Sequence, residues 1–426
     1  MDEKSLALDA IRKKLVGKEL NYKEIYAIMD EIAHNKLGDI LTTYFAASGY
    51  SKGFTNEELY FLTKAMVNTG EQLSWHEKIV ADKHSIGGVP GTRTTMIIIP
   101  IVASAGFLIP KSSSRAITTP DGTADDMETI ASVEFNKEEI QEIVRKTNGC
   151  IVWGGSFDIA PADDIMIHVE SPLLFESYDK IIVSILSKKI AFGSNHVVID
   201  LPYGKFVKVH NRRDAEALKE KFIEIAKRFG VKLDVLISET DQPDGRGIGP
   251  ILETREALRV LEQIADRPID LEKRALRLAG GLLDLCLADS PQEFQEKIKN
   301  EFETGYHWAK NLLVSGQALA KMKEIIQAQQ GNPAVTSVEL THRLGKHTHQ
   351  VIAPHAGEIE QLNSHNLTII AKILGAPKEK GAGIYLDRKI GEVYKKGDTL
   401  FTFYSQDKYG IQEALHSLPN FPLINL

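Results

Sequence analysis

Apolar residues from Ser5 to about Gly70 recur at spacings near three and four. Leu6, Ile11 and Leu15 lead into Ile25, Ile28, Met29 and Ile32, and Leu59, Leu62 and Met66 follow. That period places them along one face of short helices, which we read as antiparallel neighbours. Asn21 is placed to cap the helix that opens at Tyr22, with Glu24 in the reciprocal position of a capping box. A surplus of apolar positions on such short helices marks them as a dimer face.

The period changes after Trp75. Ile79-Val80-Ala81-Asp82 reads as a short buried strand, followed by a Gly-rich turn and an apolar helix from Thr94 to Ala105. Leu108-Ile109-Pro110 starts a second unit, continued by Ser112-Ser113-Ser114-Arg115 and Thr118-Thr119-Pro120-Asp121-Gly122-Thr123. Strand, turn and helix repeating in this way predict an α/β domain with a parallel or mixed sheet. Pro161 to Lys189 returns to helical spacing and is expected to pack on the first helices, making that small helical domain discontinuous. Strand-like runs resume at His196 to Leu201, Phe206 to Val209 and Leu233 to Ile237, with helices over Asp214 to Phe229 and Leu252 to Ile264.

From about Thr341 the chain becomes rich in strands and turns. Its phrase GEVYKKGDTLFTFYS has the look of a half-barrel from a biotinyl or lipoyl carrier, without the lysine tip a carrier needs. The expected organisation is a helical domain at 1–70 and 161–192, an α/β domain at 71–160 and 193–335, and a C-terminal α+β, hammerhead-like domain at 336–426.

The length of 426 residues suits two or three folding units. Hydrophobic residues at 43% and charged residues at 26% are enough for sizeable cores. A formal net charge of -7 supplies no basic field for nucleic acid, and pairs such as Arg212-Arg213 do not change that. Cys150 and Cys286 stand far apart, which excludes a disulfide framework and a thiolate zinc site and fits a reducing compartment. Met1 to Lys14 lacks the apolar core of a signal peptide, and Met96 to Leu108 is too short to span a bilayer. The expectation is a cytoplasmic protein with neither membrane nor nucleic acid as partner.

Candidate chemistry concentrates in DKHSIGGVPGTRTT, Asp82 to Thr95. Gly87 and Gly88 let backbone N–H groups approach an anion, and the helix start behind them adds partial positive charge. Lys83 supplies a full charge, while Ser85 and Thr94 supply hydroxyls. Two glycines alone are more simply a tight strand-to-helix turn; Lys, His, Ser and Thr within the same dozen residues favour anion binding. Neither GxxxxGK[ST] nor GxGxxG occurs, which argues against an ordinary ATPase or an NAD-dependent dehydrogenase.

SSSRAITTPDGTADD, Ser112 to Asp126, is a second hydroxyl-rich loop, with Ser113 and Thr123 able to donate to phosphate oxygens. Two such loops after short strands converge where ligands of these folds bind, at the C-terminal edge of the sheet. Asp125-Asp126 leaves Mg²⁺ as a minor alternative, since donors and a lysine capture phosphate without it. In SILSKK, Ser184 and Lys188 are four apart and share a helix face, although a solvated helix end is the plainer reading of that spacing. His84 is placed either to protonate a departing group or to pair with a carboxylate. Asp241 to Gly249 is a further Gly-rich turn between strand and helix. His342, His347 and His349 lack metal-ligand spacing.

DKHSIGGV resembles the phosphate-loop signature of the thymidine and pyrimidine-nucleoside phosphorylases, whose usual form has Thr where this chain has Ile86. IPxxSxR…GT at Ile109 to Thr123, SILSKK at Ser184 to Lys189 and QPxGxxIG at Gln242 to Gly249 match further blocks of that family in the same order. The resemblance implies an active site between a helical and an α/β domain, a homodimer formed through the helical domain, and reversible phosphorolysis of a nucleoside. It implies that Lys83, Ser85, Gly87, Gly88, Thr94, Ser113 and Thr123 hold phosphate. Ser184 and Lys188 would face the base, with His84 near the leaving group, and no cofactor or metal beyond phosphate as co-substrate.

The usual LRD block is replaced here by His168-Val169-Glu170, which puts His168 towards the base, and no arginine lies between Pro161 and Ile190. SSSRAITTPDGT also departs from the usual Gly-rich, His-containing form. Both variants resemble a divergent branch that includes proteins named as thymidine phosphorylases and the archaeal AMP phosphorylases. The expected reaction is thymidine plus phosphate to thymine plus 2-deoxyribose 1-phosphate. Phosphorolysis of AMP or another nucleoside 5′-monophosphate to ribose 1,5-bisphosphate is the close alternative, and a phosphoribosyltransferase the more distant one.

Overall fold

The computed structural model describes residues 3–116, 119–156, 158–170 and 177–424. The chain opens with helices Glu3–Leu15, Tyr22–Ala33, Asp39–Lys52 and Asn56–Asn68. Asn21 caps the second as its sequence suggests: its side chain accepts from the Glu24 N–H, and Glu24 accepts from the Asn21 N–H. Helices Pro161–Glu170 and Tyr178–Ala191 return to pack on these four. They share one apolar cluster, which holds Ile28, Leu59, Met66, Ile182 and Leu186.

Among the described residues, five parallel strands form the centre: β1 (Ala81–Ser85), β2 (Ile109–Ser113), β3 (Gly149–Trp153), β4 (His196–Tyr203) and β5 (Lys232–Glu239). β1 pairs with β4 and β4 with β5, while β2 pairs with β3. A parallel bridge from Val80 to Leu108 joins the two groups, giving the order β3-β2-β1-β4-β5. Helices Thr95–Ser104, Pro250–Leu261 and Ile269–Leu287 cover one face; the helical domain and Arg212–Arg228 cover the other.

Strand alternation divides the core accordingly. Ala81 and Val198 join the cluster with Ile97, Ile98 and Leu282, whereas Val197 and Ile199 join the cluster of the helical domain. The same alternation sends Lys83 and Ser85 to one face of β1 and Asp82 and His84 to the other. This division sets up everything the site does.

Two strand boundaries differ from expectation. β1 begins later and runs through Lys83-His84-Ser85, and β2 continues through Lys111, Ser112 and Ser113. Hydropathy ends each strand too early because the C-terminal residues of these strands are polar and line the site. Phe206 to Val209 is not a strand: Gly204 N–H donates to the Val209 carbonyl, and a single bridge joins Val209 to Tyr203.

The C-terminal portion is an antiparallel sheet of β6 (Gly247–Ile248), β7 (His347–Ile352), β9 (Gly383–Leu386) and β11 (Thr399–Ser405), in the order β6-β9-β11-β7. β8 (Gly357–Glu358) and β10 (Val393–Tyr394) form a small ribbon beside it. β6 comes from the turn after β5, so the segment Asp241 to Gly249 does more than connect strand to helix: it carries a strand of the C-terminal sheet. Ile248 is buried in that sheet's own core. No described helix is long and apolar enough to cross a membrane.

Candidate active site at the C-terminal ends of the parallel strands

Lys83 stands at the centre of the site. Its side chain is buried, and its ammonium donates to Ser85 Oγ at 2.6 Å, Thr94 Oγ1 at 2.7 Å and Thr95 Oγ1 at 3.3 Å. Burial pulls this ammonium down to about 8, against the favourable field of Asp200. Ser85 Oγ donates in turn to Asp200 at 2.8 Å, because parallel register sets Ser85 opposite Asp200. Arg274 fixes that carboxylate from behind, with Nη2 at 2.8 Å from Asp200, and also reaches Asp244 at 3.1 Å.

These bonds assign the hydroxyl protons. Ser85 spends its own on Asp200, so in this arrangement its side chain cannot also donate to an anion. Thr94 only receives from Lys83, which leaves its O–H free to point outward. Thr94 makes no side-chain cap to the helix Thr95–Ser104, so the first N–H groups of that helix are not taken by its hydroxyl.

The glycine turn closes over this point. Gly87 and Gly88 have φ of 90° and 85°, in the left-handed region. A Cβ on Gly88 would lie 3.1 Å from both the Lys208 backbone N and its Cγ. Glycine therefore allows both the turn and the approach of Lys208.

The second loop lies alongside. Ser113 ends β2, and Thr123 opens the helix Thr123–Met127. Asp125 accepts from the backbone N–H groups of Ala116 and Gly122, pinning the loop shut at 2.7 and 2.9 Å. Gly122 is required there, since a Cβ would meet the Ser114 carbonyl oxygen at 2.2 Å. Ile117 and Thr118 of this loop lie outside the described residues.

Arg93 joins the two loops. It reaches Asp121 at 2.6 Å, Glu253 at 3.0 Å, Asp126, and the Thr123 hydroxyl at 3.4 Å. Asp121, Asp126 and Glu253 are close enough together to hold a metal ion, and the Arg93 guanidinium is in contact with all three. Burial drives all three carboxyls well above the usual range, and the Arg93 guanidinium acts in the opposite sense.

The other face of β1 meets the helix Tyr178–Ala191. Ser184 Oγ and Lys188 Nζ both reach Asp163 Oδ2 at 2.7 Å, so the pair four residues apart does share a face. Asp163 is fully buried; burial opposes its ionisation, yet Lys188 and Ser184 hold its carboxyl below the usual range. Lys189 makes a second buried pair, 2.6 Å from Asp82. Lys111, also buried, donates to the Ser112 carbonyl, and burial with Lys189 nearby drives its ammonium well down.

His84 lies in the field of four of these cations. Burial acts first on its imidazole, and Lys189, Lys111, Lys83 and Lys188 push it the same way, well below the ordinary histidine range. It is neutral at pH 7. His168, by contrast, is on the exposed side of the helix Pro161–Glu170, whereas Asp163 of that helix is the residue joined to Ser184 and Lys188. The structure thus brings Lys83, Ser85 and Thr94 together, and separately Ser184 and Lys188. Sequence reasoning missed Asp163, Asp200 and Arg274, which no local motif announces, and Arg93, which lies within the Asp82 to Thr95 segment.

A buried lysine among hydroxyls, two adjoining loops and a helix start come together at the C-terminal ends of a parallel sheet. Residues 8–70 match the helical bundle domain and residues 77–319 the a/b domain of a glycosyl transferase family, and residues 358–421 match the pyrimidine nucleoside phosphorylase C-terminal domain. The chain belongs to this glycosyl transferase family and is a pentosyltransferase of the nucleoside phosphorylase type.

Among its relatives, a Legionella pneumophila (strain Paris) protein named "Putative thymidine phosphorylase" is 42% identical over 94% of this chain and 74% of its own. The AMP phosphorylase of Thermofilum pendens is 43% identical over 95% and 76% respectively. That of Methanococcus maripaludis (strain S2) is 42% identical over 98% and 79%. The anthranilate phosphoribosyltransferase of Thermus thermophilus shares the fold, with a TM-score of 0.61 at 17% identity over 76% of this chain and all of that one.

Proposed function

We propose that the protein cleaves the N-glycosidic bond of a nucleoside 5′-monophosphate with inorganic phosphate. Phosphate is held on the Lys83 face of β1 by Lys83, Thr94, Ser113, Thr123 and the N–H groups around Gly87 and Gly88. The base lies against Ser184 and Lys188. A phosphate oxygen attacks C1′ as the C1′–N bond breaks, and the bonding electron pair leaves with the base. Lys188 stabilises that developing negative charge, and neutral His84 donates a hydrogen bond to the departing ring without carrying a charge of its own. No metal or cofactor is needed, phosphate being a co-substrate.

The observation that carries the choice of a nucleotide is a second group of cations apart from Lys83. Lys180 pairs with Glu170, and burial together with the fields of Lys188 and Lys208 pulls its ammonium down to about 8. Lys208 lies over Gly88. A substrate that brings its own phosphate matches this group. Thymidine is the second reading, since Ser184 and Lys188 alone would suit a pyrimidine carbonyl.

The test is phosphate-dependent base release from AMP, CMP, UMP and thymidine. The expected outcome is turnover of a monophosphate, with ribose 1,5-bisphosphate as product. Turnover of thymidine and of no monophosphate would overturn the choice of substrate.

We place the enzyme in the cytoplasm, on its cysteine usage, and assign it a homodimer through the helical domain. Val16, just after the first helix, and Ile40 and Tyr44 of the third support that assembly, with exposures of 69%, 75% and 53%.

A further inference from the structure

We propose that Arg93 is a positioning residue for the attacking phosphate, aiming the Thr123 hydroxyl from within a cage of Asp121, Asp126 and Glu253. The proposal rests on the reading of Thr123 as a phosphate donor.

The two faces of the phosphate site have parallel logic. On one, Lys83 donates to Thr94 Oγ1; on the other, Arg93 Nη1 donates to Thr123 Oγ1 at 3.4 Å. A hydroxyl that receives a hydrogen bond from a buried cation turns its proton away from that cation. Each threonine is thereby committed to donate outward, into the space between the loops. Phosphate needs donors on several oxygens at once, and two hydroxyls fixed in this sense supply them with little reorganisation at binding.

Arg93 can aim Thr123 because its own fork is immobilised. Nη2 is bound to Asp121 at 2.6 Å and Glu253 at 3.0 Å, and Nε faces Asp126, leaving Nη1 as the edge turned to Thr123. Those carboxylates come from the second loop and from the helix Pro250–Leu261, and Glu253 also accepts from the Gly91 N–H at 2.9 Å. The first loop carries Arg93, the second carries Thr123, and one helix ties both. A lysine would keep the charge but has no planar fork to serve three carboxylates and a hydroxyl in fixed directions.

The experiment combines Arg93→Lys, Thr123→Val and the double variant, with inorganic phosphate as the probe. Phosphate affinity is measured by isothermal titration, and kcat and both KM values by base release. Arg93→Lys is expected to weaken phosphate binding about tenfold, the scale of a hydrogen bond to a charged group, with the nucleotide KM within about twofold of wild type. Because Arg93 acts through Thr123, the double variant should bind phosphate no worse than about twofold below Thr123→Val alone.

Independent, multiplying losses would overturn the proposal, as would equal damage to both KM values. Should Arg93→Lys not fold, Asp126→Asn loosens the same fork, and unchanged phosphate affinity in a folded Asp126→Asn protein would likewise overturn it. Titration needs no turnover, so a wild-type protein that binds phosphate but cleaves no nucleotide would count against the proposed reaction while leaving the role of Arg93 testable.

Discussion

The two faces of β1 hold their lysines in opposite ways. On one face, Lys83 touches only hydroxyls, and Asp200 is reached through Ser85. On the other face, Lys188 and Lys189 each touch a buried carboxylate, Asp163 and Asp82. The consequences for charge diverge: burial pulls Lys83 down to about 8, whereas for Lys188 the fields of Asp163 and Asp164 outweigh burial and raise the ammonium. The Lys83 face carries an ammonium whose direct partners are hydroxyls. The other is already neutralised and serves as a rigid edge. In the proposed reaction the Lys83 charge favours phosphate binding, while Asp163 fixes Lys188 in place beside the base.

Removing Lys83 should break the comparison most severely. Lys83→Ala is expected to lower kcat/KM for phosphate by about 10²–10³, the scale of losing one preorganised charge-stabilising group. Folding should persist, because the variant also relieves the cost of burying an ammonium. Steady-state kinetics alongside thermal unfolding would check both halves, and undiminished phosphate use would remove Lys83 from its assigned place.

Lys188→Met should act in the other way, on stability as well as turnover. It strands Asp163 with only Ser184, and breaking such a buried pair costs about 3 kcal/mol in denaturant unfolding. Adding Asp163→Asn should recover part of that loss. A variant as stable as wild type would mean that Asp163 is not held by Lys188.

Titration sharpens the contrast further. Below about pH 8 the Lys83 ammonium is charged and competent; above it the neutral fraction grows. The free enzyme's kcat/KM for phosphate should therefore fall towards about tenfold per pH unit on the alkaline side. Lys83→Arg does not titrate in this range and should remove that limb from whatever activity it retains. Lys180, also near 8, should register in the nucleotide KM instead. A limb that survives Lys83→Arg would assign the titration elsewhere.

Much of this was legible along the chain. The order of helical and strand segments follows from hydropathy period, and the capping pair Asn21 and Glu24 lies within one helical turn. Lys83, Ser85 and Thr94 fall on one strand–turn–helix unit, and Ser184 and Lys188 on one turn of helix, so local geometry alone brings each set together. His168 lies on the exposed side of the helix Pro161–Glu170, while Asp163, on the same helix, is the buried partner of Ser184 and Lys188.

What the sequence by itself determined is therefore local: which segments are helices or strands, which turn can approach an anion, and which family's blocks recur in order. Only the tertiary structure decided how the charges are balanced. Asp200 meets Ser85 across 115 positions through the register of β1 on β4, Lys189 meets Asp82 across 107, and Glu253 meets the Gly91 N–H across 162. A charge's effect depends on its distance and its burial, and neither is set until strands pair and helices close over them.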